Sequence, residues 1–350
     1  MSTLKKFDRR MYILNPNDPV MSYFRTKGKI EKCIHFGQLK LLDGVIQFLT
    51  NFWDPKEVPH PIVVYAGAAP GQNIEVLSLL FPAVTWHLYD PSSFCIKPSE
   101  RIKIYTGDEG YFTNTHANKW ARRNDVFFIS DIRGPYKSVI ENLSLEEEYE
   151  KLQNDPHYAS ELLTIQEKNE QLVANDMNSQ KQWYKIIRPV HALLKFRLPY
   201  AYKHFKKEFN YLNGHIYFQP WVGPNSTETR LVPIGYDDIE WDINIYEEQM
   251  FYFNRITRVS KYMNPFSDRQ KKSAIQWPIL TNDFDSLAHV YILMDYLTKF
   301  NINFNTDMVL KLSDTVIYGI NINFSREFNF LAERKKACTI YRRGYDQHEE

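Results

Sequence analysis

Four charged residues stand beside apolar runs in this chain: Lys40 in Gly-Gln-Leu-Lys-Leu-Leu, Asp131 in Ile-Ser-Asp-Ile-Arg, Lys195 in Leu-Leu-Lys-Phe-Arg, and Glu228 in Ser-Thr-Glu-Thr-Arg-Leu. A charge in such a place is costly unless it is paired. Two lysines and two carboxylates that converged would keep one another near neutrality. They could also move a proton, because desolvation and a second cation lower a lysine's pKa, and a neutral amine is a general base. Two buried ion pairs with a purely structural purpose would use the same residue types.

A second group of residues could hold a small ligand. Residues 63–71 read Val-Val-Tyr-Ala-Gly-Ala-Ala-Pro-Gly, an apolar strand entering a glycine-proline turn, and Asp90 closes the next apolar stretch at 84–89. Gly67 and Gly71 have no Cβ, so backbone there can approach a ligand closely, and Pro70 fixes one φ angle before a helix near Gln72. A carboxylate at the end of the second strand can accept from both hydroxyls of a ribose. Neither the G-x-G-x-x-G pattern nor a Gly-Lys-Ser/Thr phosphate loop is present. The turn therefore favours a ligand with adenosine but no pyrophosphate, such as S-adenosylmethionine, and argues against a nicotinamide-dependent dehydrogenase. Taken alone, a Gly-Pro turn is usually only a turn.

The elements that must position these groups follow from periodicity. Leu39, Leu42, Ile46, Leu49 and Phe52 fall at helical spacing over 37–53. Strands are expected at 62–66, 84–89, 102–105, 125–130, 190–197, 215–219 and 229–235, with helices near 72–80, 108–121, 245–256 and 283–300. Alternation of this kind predicts an α/β fold with a mainly parallel sheet flanked by helices, and ligands at the carboxyl ends of the strands, where Gly67, Asp90 and Asp131 lie. Residues 1–30 are polar and basic and read as an N-terminal arm. Residues 31–260 form the ligand-binding domain, the polar stretch at 143–183 reads as a helical insertion, and 261–350 reads as a C-terminal extension packed on the same domain. The length of 350 residues and 43% hydrophobic content suit one large core or two modest ones. With a formal net charge of +1, any nucleic-acid surface must be local. Lys203, Lys206 and Lys207 form one basic stretch, and Arg255, Arg258, Lys261, Arg269, Lys271 and Lys272 form another. Cys33, Cys95 and Cys338 lack CxxC spacing, which argues against a zinc site or disulfide framework. No apolar run is long enough to span a bilayer and no secretory leader is evident. An intracellular, soluble protein is expected.

Five segments in order (37–42, 63–71, 130–133, 194–197 and 228–231) resemble the poxvirus-type cap-specific mRNA 2′-O-methyltransferases, whose members also serve as the small, processivity subunit of poly(A) polymerase. The resemblance runs from about Tyr23 to about Asn254. It implies a Rossmann-like S-adenosylmethionine-dependent methyltransferase fold, with S-adenosylhomocysteine as product. Lys40, Asp131, Lys195 and Glu228 would be the catalytic set, with Lys195 the base. Gln38, Tyr65, Gly67, Gly71, Asp90 and Arg133 would line the cofactor pocket. The resemblance also implies capped mRNA as substrate, a catalytic poly(A) polymerase subunit as partner, no membrane, and a virion or cytoplasmic viral factory as location. Tyr23 and Tyr200 match the rings that would sandwich N7-methylguanine, and Glu247 the acid that would read its edge.

The chain departs from that pattern at three places. Ser92 replaces an arginine two residues after the ribose-binding acid, Gly107 replaces a larger apolar residue in the adenine wall, and Tyr202 replaces a second cap-reading acid. Two other readings stay open: a non-catalytic RNA-binding subunit of a polyadenylating complex, and a 2′-O-methyltransferase acting on internal RNA positions. Tyr200 and Glu247 discriminate the latter.

Overall fold

The structure is a computed structural model that describes residues 4–23, 36–134, 154–200, 207–266 and 282–323. Eight strands make one sheet in the order β1-β7-β8-β6-β5-β2-β3-β4. They are β1 (Ile13–Leu14), β2 (Ile62–Ala66), β3 (Thr85–Tyr89), β4 (Ile102–Tyr105), β5 (Val126–Ser130), β6 (Ala192–Phe196), β7 (Glu208–Tyr217) and β8 (Thr229–Asp242). β2 through β6 pair in parallel, while β1, β7 and β8 pair antiparallel at one side. The central strands β2 and β5 read as near-continuous apolar runs because helices cover both their faces. Adjacent side chains of β5 show this: Phe127 meets Phe48 of α1 (Gly37–Phe52), and Phe128 meets Phe112, which packs on Trp183 across the other face.

On the first face, α1 packs against α2 (Gln72–Leu80) and α6 (Phe284–Lys299), and α7 (Thr306–Asn323) packs against α2 and α6. On the second face lie α3 (Asn114–Lys119) and α4 (Pro156–Ile187). α5 (Ile243–Tyr252) follows β8 and runs into a π-helical turn at Phe253–Thr257. Among the described residues no helix is long and apolar enough to cross a membrane.

Two sequence readings change. The polar stretch around 156–183 is not an insertion but the crossover helix that carries the chain from β5 to the parallel strand β6. Its buried face is Glu170, Val173, Ala174, Met177, Gln180, Trp183, Tyr184 and Ile187, a three-and-four spacing in which a glutamate and a glutamine hide the apolar stripe. Residues 143–153 lie outside the described residues. The N-terminal segment also does more than lie over a domain. Ile13 and Leu14 add an edge strand to β7, and Phe7 is buried against Tyr12, Tyr262, Phe284 and Tyr291.

Because α4 is part of the core, Trp183→Ala should cost on the order of 3–5 kcal/mol in urea unfolding, as for other buried aromatic truncations. A change within the roughly 0.5 kcal/mol typical of surface substitutions would mean that α4 only rests on the sheet.

Candidate active site

Strand ends put the charged residues together. β2, β3, β5 and β6 run the same way, and β8 starts antiparallel beside the end of β6, so Gly67, Asp90, Asp131, Lys195 and Glu228 meet at one edge of the sheet. Gly67 has φ +81°, and a Cβ there would lie 2.6 Å from the Asp131 carbonyl carbon. Only glycine lets these two strand ends come so close. α1 begins beside this edge, with the Phe36 amide donating to the Trp221 carbonyl at 2.9 Å, and so presents Gln38 and Lys40.

The four predicted residues form one cluster. Lys40 Nζ donates to Glu228 Oε1. Lys195 Nζ lies 3.1 Å from Asp131 Oδ1 and 3.5 Å from Glu228 Oε2. A fifth member was missed from sequence: Arg230, whose Nη2 donates to Asp131 Oδ1 at 2.8 Å and lies 3.5 Å from Glu228 Oε1. The strand period held the signal, since residues 228 and 230 share a face of β8, and Arg230 pairs in register with Lys195 of β6. Arg133 reaches Glu228 Oε2 at 3.2 Å from a half-exposed position.

Burial pushes the Lys40 ammonium below its ordinary range; Glu228 opposes this and Arg230 adds to it. Burial would raise Asp131 and Glu228, but the cations prevail. Arg230 and Lys195 hold Asp131 below its ordinary value, and Lys195, Lys40 and Arg230 hold Glu228 well below. Burial works against the Arg230 charge, yet Asp131 and Glu228 keep it firmly protonated.

Lys40, Asp131, Lys195 and Glu228 form part of the wall of a cleft of about 840 Å³, shared with Gln38, Gly67, Asp90 and Arg133. Asp90 accepts from the Ala69 amide at 3.2 Å and the Ser92 amide at 2.9 Å, which leaves further lone pairs toward the cleft. Tyr65 and Gly71 stand behind this wall. Tyr65 is buried in β2 with its hydroxyl pKa raised by burial, and Gly71 caps α2 at φ +79° against Phe94 and Ile96. α4 closes the opposite side with Asp176, Ser179 and Trp183, none of them expected from sequence, and Asp176 Oδ2 accepts from the Gly134 amide at 2.7 Å. Near Gly107 a side chain would meet open space, whereas a Cβ on Gly110 would lie 2.1 Å from the Asp90 carbonyl oxygen.

The three residues expected at a cap pocket are Tyr23, Tyr200 and Glu247. The Tyr200 hydroxyl is 3.3 Å from Thr227 Oγ1, and its amide donates to Glu170 Oε2 at 2.9 Å. The Arg197 guanidinium, paired to Glu170, sits 4.6 Å above the Tyr200 ring, so one ring face is taken. Burial raises the Glu247 carboxyl; Arg197 opposes this, and Glu170 adds to it. One turn along α5, Phe251 meets the exposed Tyr23 ring edge-on at 5.2 Å. Tyr202, Lys203, Lys206, Arg269, Lys271 and Lys272 lie outside the described residues. Arg258 is no part of a nucleic-acid track. It is buried, bound to both oxygens of Asp285, and donates to the carbonyls of Val222 and Gly223.

Because Asp131 and Glu228 have folded pKa values below their unfolded values of 3.8 and 4.5, their ionised forms stabilise the fold above those values, and the gain is lost as pH falls toward the folded ones. Tm measured from pH 7 to pH 3 should therefore fall steeply in the acid range, and Asp131→Asn should flatten the slope. Parallel curves would show that Asp131 contributes nothing as an anion.

Comparison with known proteins agrees over most of the chain. The model of the poly(A) polymerase regulatory subunit family matches residues 8–156 and 160–322. The cap-specific mRNA (nucleoside-2′-O-)-methyltransferase of Fowlpox virus (strain NVSL) is 25% identical over 305 residues, covering 82% of this chain and 85% of that protein. The protein of the same name from Myxoma virus (strain Lausanne) is 26% identical over 244 residues, covering 65% of this chain and 63% of that protein. Among solved structures, bluetongue virus VP4, described as a multifunctional RNA-capping production line, matches with a TM-score of 0.34 and 13% identity over 71% of this chain and 38% of that chain.

Proposed function

Since the chain belongs to the poly(A) polymerase regulatory subunit family, we propose that its cleft methylates a ribose 2′-hydroxyl of capped mRNA, with S-adenosylmethionine as donor, converting cap 0 to cap 1. The observation that carries this reading is the convergence of Lys40, Asp131, Lys195 and Glu228, backed by Arg230, on the wall of one cleft with the bare Gly67 turn and Asp90. The named activity of the Fowlpox and Myxoma relatives supports it.

The residues present fit the donor. The Gly67 turn offers backbone where any Cβ would collide, Asp90 offers acceptors for a ribose diol, and Gln38 offers an amide to the amino-acid end. Bound S-adenosylmethionine would supply an electrophilic methyl for the 2′-oxygen, with S-adenosylhomocysteine as the product. The chain's part is alignment and proton removal. Lys195 Nζ takes the 2′-hydroxyl proton; Asp131 and Glu228 hold that amine and the Lys40 ammonium in place, and Arg230 and Lys40 supply the cations that balance the two carboxylates. Tyr200 and Tyr23 supply ring faces for the N7-methylguanine and Glu247 accepts from its edge. The family description favours a second role, binding a catalytic poly(A) polymerase subunit, which can coexist with methyl transfer.

Lys195→Ala should abolish transfer of labelled methyl to a capped RNA while the stabilisation by S-adenosylhomocysteine, read as a Tm rise, persists. A 2′-deoxy nucleotide beside the cap should be inert. Methylation of that RNA would rule out the 2′-oxygen as acceptor.

The native protein should prefer an N7-methylated cap analogue to the unmethylated one, because methylation makes the stacked base cationic. Tyr200→Ala should remove the preference at a cost on the order of 1–3 kcal/mol. Arg197 on one ring face and Tyr202 in place of an acid should keep the native discrimination modest. Equal binding of both caps by the native protein would favour an internal-RNA substrate.

A further inference from the structure

A second, much smaller cavity lies under α1, beside residues one and two turns beyond Lys40. It is bounded by Gly44 and Gln47 of α1, Leu193 of β6, Arg230 and Val232 of β8, and Gln219 of the loop entering β8. Two of these residues carry polar atoms with no protein partner: Nη1 of Arg230, and both Nε2 and Oε1 of Gln219, each residue 3% exposed. Buried donors and acceptors in this position are normally satisfied. The cavity's volume of about 10 Å³ has room for one water molecule, and three polar atoms offer it the two to four bonds such a water needs. Gly44 leaves space for the amide, since a Cβ there would come within 3.3 Å of Gln219 Nε2.

The charges around Arg230 give this pocket a consequence. From α1 comes Lys40, from the end of β2 the Tyr65 hydroxyl, from the end of β5 Asp131, from β6 Lys195, and from the start of β8 Glu228; Arg133 and Asp176 stand farther out along the cleft. Lys40, Lys195 and Arg230 face two carboxylates, Asp131 and Glu228, so with all five ionised the core of the cluster carries one excess positive charge. Gln219, the polar side chain behind Arg230, is neutral.

We propose that Gln219 and one buried water form the rear support of the Arg230 guanidinium, and that their neutrality leaves the cluster its one excess positive charge. This rests on the methyl-transfer reading. It makes Gln219 a positioning residue, without contact to either substrate.

The test is the pH–rate profile of methyl transfer to capped RNA for the native protein, Gln219→Glu and Gln219→Met. A carboxylate at position 219 should compensate the excess charge and move the rising limb of kcat upward by about one pH unit, the low end of the range for a nearby opposite charge. Gln219→Met fills the same volume without a hydrogen-bonding atom. It should lower kcat several-fold, with KM for both substrates and the position of the limb unchanged. An unmoved limb in a folded Gln219→Glu protein, or native kcat in Gln219→Met, would overturn the proposal. A native protein without transfer at any pH would instead sink the methyl-transfer reading.

Discussion

Two carboxylates tie this molecule together. Asp131 and Glu228 come from different strands, and the cations that satisfy them come from α1, β6 and β8. Removing one partner from a buried, hydrogen-bonded charge cluster leaves an uncompensated charge, at a cost of about 3–5 kcal/mol. No member can therefore drift without penalty, and the relative placement of helix, sheet and loop is fixed at the place where chemistry requires precision. The pairs need not add net stability over an apolar core. What they secure is a single arrangement.

That arrangement depends on the segment delivering Glu228, and the C-terminal half holds this segment by its backbone. Arg258 binds the carbonyls of Val222 and Gly223, Asn254 that of Ser226 at 2.9 Å, and the Tyr246 hydroxyl that of Thr227 at 2.5 Å. Trp221, at φ 64°, is pinned by donating its indole N–H to Asp43 at 2.9 Å. Asp43 also contacts His289 at 2.9 Å, and His289 contacts Ser313 at 2.9 Å, which links α1, α6 and α7. A serine, a histidine and an aspartate in sequence resemble a hydrolytic triad, but all three are 0% exposed, so no substrate reaches them. Their contacts anchor the loop that carries Glu228.

Periodic apolar residues made α1, α2, α6 and the parallel strands legible, because those elements are buried on one stripe or on both faces. The four-residue cluster was legible too, since charges beside apolar runs need partners. Arg230 was not, because its charge stood in a run already explained by Glu228. α4 was legible as a helix, but its place in the core was hidden by Glu170 and Gln180 on its buried face. The first half of β7 was missed because its side chains alternate between burial and solvent with polar residues on both sides. Arg258 looked like one more cation in a basic run, because nothing local marks an arginine whose partner, Asp285, lies 27 residues on. Long-range pairing of polar groups is what a single sequence conceals.

In the proposed function one cluster serves both as the architectural tie and as the proton acceptor for a ribose hydroxyl. A crystal structure with S-adenosylhomocysteine and a short capped RNA tests this most directly. The expected result is the ribose 2′-oxygen of the cap-adjacent nucleotide within hydrogen-bond reach of Lys195 Nζ, about 2.6–3.2 Å, with the cofactor ribose on Asp90. An RNA bound with that oxygen remote from Lys195, while Lys195 stays paired to Asp131, would contradict it.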